Sequence, residues 1–460
     1  YSNKSIKTLL GVTIPKNTHV TPECLADFEA AIEATGYGRF NALLMLCCLP
    51  AFWSAVSVTS APSYIFTQAV CDMNLRLLDM GTINAITYGG MIASAMLWGF
   101  LSDSLGRRKF LIWGFFASGV IELTASMSQS FTMLLITRFT SGFIFNGPFA
   151  VLISYIAELH RTSLRARVIL LTSLFYTIAN VTLPLLAWGI LVNKWDVPVG
   201  SVFVIHSWNF FLLATALVPL ITGAAFVFLP ESPKFLMSRG RNEEAMEVFR
   251  KMYTMNTGLP PDTFPVTISI YLMNNTIHST SFVFEKKLGN DVPKFYLGSR
   301  TNYKKPLIIM ILFQNNSKMY NFLHRSNTIR LWYPQLAAMM GTHANESLCS
   351  AIAPLPVAEE EALSCAPIQT DMLTYLQSSI VGAGSVLTYS IGGQWLLGAQ
   401  SSNLESLMAM ATFLMCGRLG TISGTVIFPA LIDYGCLPPF IVVGVVLGGC
   451  ISLEPRKVES

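Results

Sequence analysis

The sequence predicts an all-α, polytopic membrane protein, with six N-terminal spans followed by an incomplete C-terminal bundle of about four. Three observations carry this. Of the 460 residues, 52% are hydrophobic and only 12% charged, where a soluble domain holds about 25% charged residues. Apolar stretches recur at the length needed to cross a hydrocarbon core about 30 Å thick, roughly 20 residues of helix. Basic residues gather in alternate loops, at Arg107, Arg108 and Lys109 and again at Arg161, Arg165 and Arg167.

Taken in order, residues 1–38 read as a polar N-terminal cytoplasmic segment with no early signal peptide. Within it, Glu23, Asp27, Glu29 and Glu33 interleave with Leu25, Phe28 and Ile32, the spacing of a short amphipathic surface helix that Gly36 and Gly38 end. Spans are expected over Phe40–Ala61, Gly81–Leu101, Phe110–Met127, Phe131–Ala157, Val168–Val192 and Trp208–Leu229, forming an N-terminal bundle over 39–229. The opposite loops carry only Arg76 and Lys194, so the positive-inside rule places the N-terminus and both Arg clusters in the cytoplasm. Residues 230–305 are polar and read as a cytoplasmic loop. In it Ser232 is a helix cap with Pro233 in the first turn, and a helix is expected near Asn242–Met252.

The second half, 306–460, is less regular. Leu307–Phe313 and Leu331–Met340 are apolar, but Asn315, Asn316, Lys318, His324, Arg325 and Arg330 lie between them. Each mid-membrane charge costs about 2.5–3.5 kcal/mol, which argues against a simple lipid-facing span. The polar stretch His343–Pro367 holds the sequon at Asn345 and the pair Cys349 and Cys365, a candidate glycosylation site and a candidate disulfide of an extracytoplasmic loop. Spans follow at Met372–Leu397, Leu407–Leu431 and Leu437–Leu453. A six-plus-six design needs two more, and the apolar runs on either side of Gln400 to Leu407 follow one another almost directly.

Composition excludes several classes. The net charge of +4 is mild and its basic residues sit in loops, so nucleic acid is not an expected partner. The nine Cys follow no metal or redox spacing, and Cys47 and Cys48 read as packed thiols; no metal and no cofactor is expected. Without a Ser-His-Asp order or a phosphate-cradling loop, an enzyme is not expected either. The expected partners are the lipid bilayer and a small-molecule or ion substrate, with the chain a monomer.

Polar groups inside spans are the candidates for chemistry. Glu122 is the clearest buried acid of the first bundle, available to a proton, a cation or a neighbouring helix. Arg138 opens the fourth span in R-F-T-S-G-F-I-F-N-G and either takes part in coupling or snorkels to headgroups. Asn146, Asn180 and Trp188 complete the candidate substrate or coupling set. At cytoplasmic helix ends Glu158, Arg165, Arg167 and Glu231 form a candidate charge network. Gly99, Asp103, Gly106, Arg107 and Arg108 frame the tight turn between spans two and three. There the small residue permits close helix approach, and Asp103 can accept from a helix N-terminus or pair with Arg107 or Arg108.

That turn, G-F-L-S-D-S-L-G-R-R, resembles the signature of the major facilitator superfamily, with Ser104 where a basic residue is usual. P-E-S-P-K-F-L from Pro230 resembles the sugar-porter and organic-ion branches. Together with Gly38-Arg39-Phe40, His206-Ser207-Trp208 and Arg330–Leu336, these motifs resemble the synaptic vesicle glycoprotein 2 family and its invertebrate relatives, closely from about Asp27 to Thr257 and patchily afterwards. The resemblance implies twelve spans and an alternating-access transporter of a small organic solute, with residues 99–108 acting as a conformational latch. It implies a plasma membrane or a secretory or synaptic vesicle membrane. A rival reading is a transporter-shaped vesicle protein that binds or regulates without flux. The chain departs from the family in three places: its first span carries no acid, its loop after span seven is short, and Gly392–Gln400 lacks the Asp and Arg of a second signature.

Overall fold

Long helices with few breakers build this chain. The computed structural model describes residues 28–193, 195–199, 203–265, 327–339, 371–397, 405–432 and 434–442; the side chain of Asp103 is outside this set. In chain order the elements begin with α1 (Phe28–Ala34), α2 (Arg39–Met73), α3 (Leu77–Leu105), α4 (Arg107–Ser126), α5 (Phe131–Glu158) and α6 (Thr162–Leu191). A hairpin of β1 (Asp196–Val199) and β2 (Phe203–His206) leads to α7 (Ser207–Phe226), α8 (Pro233–Ser238) and α9 (Asn242–Thr257). Residues 327–339 form α10, Met372–Leu397 α11, Glu405–Ile432 α12 and residues 437–442 the short α13.

Among the described residues five helical segments are long and apolar enough to cross a membrane: α2, α5, α6, α7 and Met415–Ile432 of α12. The span expected over Phe40–Ala61 runs on to Met73. Pro50 and Pro62 are carried inside it, as helix-packed prolines are in membranes, and the helix stops only at Asn74, in the left-handed region at φ +50°. At 35 residues α2 is about 52 Å long, well beyond the hydrocarbon core. The helix expected near Asn242–Met252 likewise extends to Thr257, where left-handed Gly258 ends it.

Helices α2 to α7 pack as one bundle, with α3 on α5, α4 on α7 and on α5, and α2 against α6 and α7. The α3–α5 crossing is the tightest. A Cβ on Gly142 would stand 1.9 Å from the Thr87 carbonyl oxygen, and one on Gly90 2.2 Å from that of Phe139. Gly99 was expected to serve close approach, but a Cβ there meets no described atom within 4 Å. The seam therefore lies about three turns deeper than the motif suggests.

The two ends of the bundle are closed differently. At the basic end α9 lays Ala245, Phe249 and Met252 against the helix ends, and Asn256 knits α9 to the start of α2. Its Oδ1 accepts from Phe40 N–H (3.0 Å) and its Nδ2 donates to Thr35 O and Asn41 Oδ1 (both 3.1 Å). At the opposite end sits the β-hairpin, which the sequence reading took as plain loop. Trp208 Nε1 donates to Asp72 (2.7 Å), while His206 Nδ1 meets Asp196 (2.8 Å). The His-Ser-Trp motif thus closes this end of the bundle. Cys71 and Cys436 lie here too, both disulfide-bonded. Cys47 and Cys48 are free, Cys48 buried.

Three helices of the second half pack on this bundle. Helix α11 lies on α6, and α12 on α3. The latter contact is antiparallel, because Gly81 near the start of α3 faces Thr425 and Pro429 near the end of α12. Helix α10 fits between the halves, with Trp332 stacked on Phe428 (5.7 Å between ring centres). Of the polar residues that argued against a lipid-facing helix here, Arg330 turns inward onto Asn180 of α6, while Asn315, Asn316, Lys318, His324 and Arg325 lie outside the described residues. The expected glycosylation site Asn345 and the pair Cys349 and Cys365 lie outside the described residues.

Candidate functional site: polar ties at the basic end and along the bundle interface

The turn between α3 and α4 is held by the segment after α7. Gly106 has φ +92°, and a Cβ there would stand 2.8 Å from Glu231 Oε2. Only glycine suits both the backbone and the carboxylate. Glu231 sits at the N-terminus of α4, accepts from Arg108 N–H (2.8 Å) and so meets the positive end of the helix dipole. Arg108 Nη2 donates to Val227 O (2.6 Å) at the end of α7. Arg107 Nη2 faces Glu158 Oε1 at 3.6 Å, and Glu158 also accepts from Ser232 Oγ (2.5 Å). Ser232 caps α8 by accepting from Phe235 N–H (3.3 Å), as its place before Pro233 predicts.

The four charges expected to form one network separate into two. Glu158 and Glu231 serve Arg107 and Arg108. Arg165 instead pairs with Glu29 of α1 (3.0 Å), and its Nε donates to Ala157 O (2.9 Å) and His160 O (3.1 Å), covering the last carbonyls of α5. Arg167 is exposed and joins no ion pair among the described residues. Helix direction explains the split: the chain turns at His160, which carries Arg165 of α6 back over the end of α5 and away from Glu231. Both Arg clusters nonetheless lie at one end of the bundle.

Inside the bundle Glu122 of α4 and Arg138 of α5 are one unit. Arg138 Nη2 donates to Glu122 Oε2 at 2.7 Å, with the two side chains 0% and 3% exposed, and Ser141 Oγ donates to Glu122 Oε1. Arg138 does not snorkel to headgroups; its Nε and Nη1 are enclosed without hydrogen-bond partners. Asn146 is a helix tie as well, donating to Met91 O (2.8 Å) and Ser94 Oγ (3.3 Å) of α3.

Of the five candidate substrate or coupling residues, Asn180 reaches across to the second half. Its Oδ1 accepts from Arg330 Nη1 of α10 (3.0 Å), and a Cβ on Gly382 of α11 would touch it at 3.2 Å. Trp188 is part of the apolar packing further along α6. Other ties between the halves were not read from sequence: Gln335 Nε2 donates to Ser63 O, Ser379 Oγ to Val181 O (3.2 Å), and Tyr64 stacks on Tyr375 (6.4 Å). Asn327 Nδ2 donates to Thr421 Oγ1 (2.8 Å), joining α10 to α12. No group of three metal-ligating side chains occurs among the described residues.

A helical bundle with polar residues along its internal seam and basic turns at one end has the architecture of a multi-pass membrane transporter of the major facilitator type. The chain matches the sugar (and other) transporter family over residues 43–317, more than half its length, and belongs to that family. It is similar to synaptic vesicle glycoprotein 2C of Mus musculus, 26% identical over 315 residues, which is 67% of this chain and 42% of that protein. It is similar also to synaptic vesicle glycoprotein 2A of Bos taurus, 29% identical over 249 residues, 53% of this chain and 34% of that one. The matches therefore span less than half the length of these relatives. Among solved structures, the E. coli xylose transporter XylE in a partially occluded inward-open conformation superposes with a TM-score of 0.55. It is 15% identical and covers 91% of this chain and 100% of the other. A bacterial homolog to the human lysosomal transporter Spinster superposes at 0.52, 10% identical over 86% of this chain and 83% of the other. These likenesses carry the fold. Family and fold are those of transporters rather than enzymes.

Proposed function

We propose that the chain moves a small organic solute across a membrane by alternating access, taking it up between the α2–α7 bundle and the α10–α12 helices. The observation that carries this is the character of their contact. The halves meet through single polar ties, Asn180 to Arg330, Ser63 to Gln335 and Val181 to Ser379, set within apolar packing of Tyr64, Ile83 and Leu183 with Trp332, Tyr375 and Phe428. Such ties exchange for solute or water contacts at small cost, and sites in transporters of this kind lie near the midplane. The ordered turn at Gly106–Arg108, clamped by Glu231 and Glu158, gives the first half a rigid basic end. Oxidised Cys71 and Cys436 at the far end support a cytoplasmic position for the basic one, since disulfides belong to oxidising compartments. The similarity to synaptic vesicle glycoproteins supports a secretory or vesicle membrane.

Uptake into proteoliposomes tests the reading. Purified chain is expected to accumulate at least one member of a labelled panel of organic anions, organic cations and hexoses above empty vesicles. Exchange of Asn180 for Leu, at the interface, is expected to reduce that uptake. Binding of solutes without flux, by a chain that is folded and inserted, would replace transport with the binding or regulatory role.

A further inference from the structure

Two guanidinium groups stand where the halves meet, and neither pairs with a carboxylate among the described residues. Arg330 donates through Nη1 to the neutral Asn180, and its Nε is enclosed with no hydrogen-bond partner. Arg418 lies at the middle of α12, half-buried, and takes part in no hydrogen bond or ion pair among the described residues. Its charge is felt instead by the phenols of Tyr88 on α3 and Tyr176 on α6, as that of Arg330 is felt by Tyr64 on α2. Tyr176 and Asn180 are one turn apart on α6, joined by the Asn180 Nδ2 bond to Tyr176 O (2.8 Å). Tyr176 and Asn180 thus stand on successive turns of one face of α6, about 6 Å apart along its axis. Tyr176 is near the midpoint of α6, as Arg418 is of α12, so both lie at mid-membrane depth.

A charge held there without a counter-ion is expensive, and its retention marks a binding group. The first-half acids are already committed, Glu122 to Arg138 and Asp72 to Trp208 and His206. Among the described residues a cationic solute would meet like charge at this seam, and a neutral one would leave both guanidiniums without a counter-charge.

We propose that the chain binds a small organic anion, its charged head between Arg330 and Arg418 and its aromatic or apolar body against Tyr64, Tyr88 and Tyr176. The location between the halves rests on the transport reading; the choice of anion rests on the two arginines. Recognition combines charge-assisted hydrogen bonds from the guanidiniums with phenol rings that accept a flat hydrophobic face.

The test is binding to the full chain in lipid nanodiscs, by calorimetry and by shift of the unfolding midpoint, with four matched probes. Benzoate and phenyl phosphate are anions, benzamide is neutral and benzylamine is a cation. At least one anion is expected to bind, with benzamide and benzylamine at least about tenfold weaker. Arg418→Gln and Arg330→Gln are each expected to weaken the anion about tenfold or more, and Arg418→Lys less. Failure of both anions to bind, equal binding of benzylamine or benzamide, or anion binding untouched in both Gln variants would each overturn the proposal. If a Gln variant does not fold, Arg418→Lys and the charge preference of the parent still decide. Uptake of the same probes separates this inference from the one it stands on. Anion binding without flux removes transport and leaves the anion site. Flux of benzylamine or benzamide without anion binding keeps transport and removes the anion site.

Discussion

Replacing Glu122 by Ala strands the Arg138 guanidinium inside the first bundle. The side chain is 0% exposed and its described ionic contact is the 2.7 Å bond to Glu122. Two routes give the size of the loss. Breaking a buried pair by deleting one partner costs about 3–5 kcal/mol, because the other charge is left uncompensated. Coulomb attraction of unit charges 4 Å apart, with an effective dielectric constant of about 20, is about 4 kcal/mol. Ser141 loses its acceptor as well, which adds about 1 kcal/mol. Arg138→Met alone is expected to be comparably damaging, whereas the double variant Glu122→Leu/Arg138→Met replaces both charges with apolar bulk and is expected within about 2 kcal/mol of the parent. The assay is a double-mutant cycle from thermal unfolding in detergent, read by tryptophan fluorescence. For a bundle of this size the single variants are expected to unfold about 6–20 °C earlier. A coupling energy below about 0.5 kcal/mol, or single variants as stable as the parent, would refute the claim that the pair is one buried unit.

Gly106→Ala is expected to cost about 1–3 kcal/mol, from φ +92° and from crowding Glu231, and thermal unfolding of the variant beside Glu231→Ala measures the two causes separately. Gly142→Val pushes into the Thr87 backbone and is expected to abolish folded protein on size-exclusion chromatography, while Gly89→Ala, where a Cβ meets nothing within 4 Å, is expected to be silent. His160, in the turn after α5, has its pKa lowered by burial and further by Arg165, against a raising bond to Ile156 O. Its neutral form is the folded form, so the unfolded chain binds the extra proton. That stability is complete above pH 6.5 and is lost as pH falls toward the lowered value; His160→Gln should flatten this acid limb in a pH series of unfolding midpoints.

Span positions were legible because hydrophobic length is a one-dimensional property, and four expected spans of the first half match helices that are apolar enough to cross a membrane. Where spans ended was less legible: prolines that stop helices in water are carried inside α2. Polar partners were not legible at all. Glu122 and Arg138 were each found as isolated oddities 16 residues apart on different helices, and only the rotation of α4 against α5 makes them a pair. The charges at the basic end misled for a related reason, since sequence proximity assigned Arg165 and Arg167 to acids that Arg107 and Arg108 hold. Arg418 passed unnoticed within an otherwise apolar run, although it is the charge at the centre of that helix. The β-hairpin escaped because two four-residue strands, one holding Pro198, are too short to show a period.

Helix α10 also bears on how the protein is made. Asn327, Arg330 and Gln335 find their partners on α12, α6 and α2 respectively. Released alone into lipid, the arginine by itself would cost about 2.5–3.5 kcal/mol. During synthesis α2 and α6 are in place before α10 emerges, but α12 comes later. Biogenesis therefore requires the nascent segment to shelter against the earlier helices until the last partner arrives, and a ribosome halted ahead of Glu405 would leave a polar flank open to quality-control proteases.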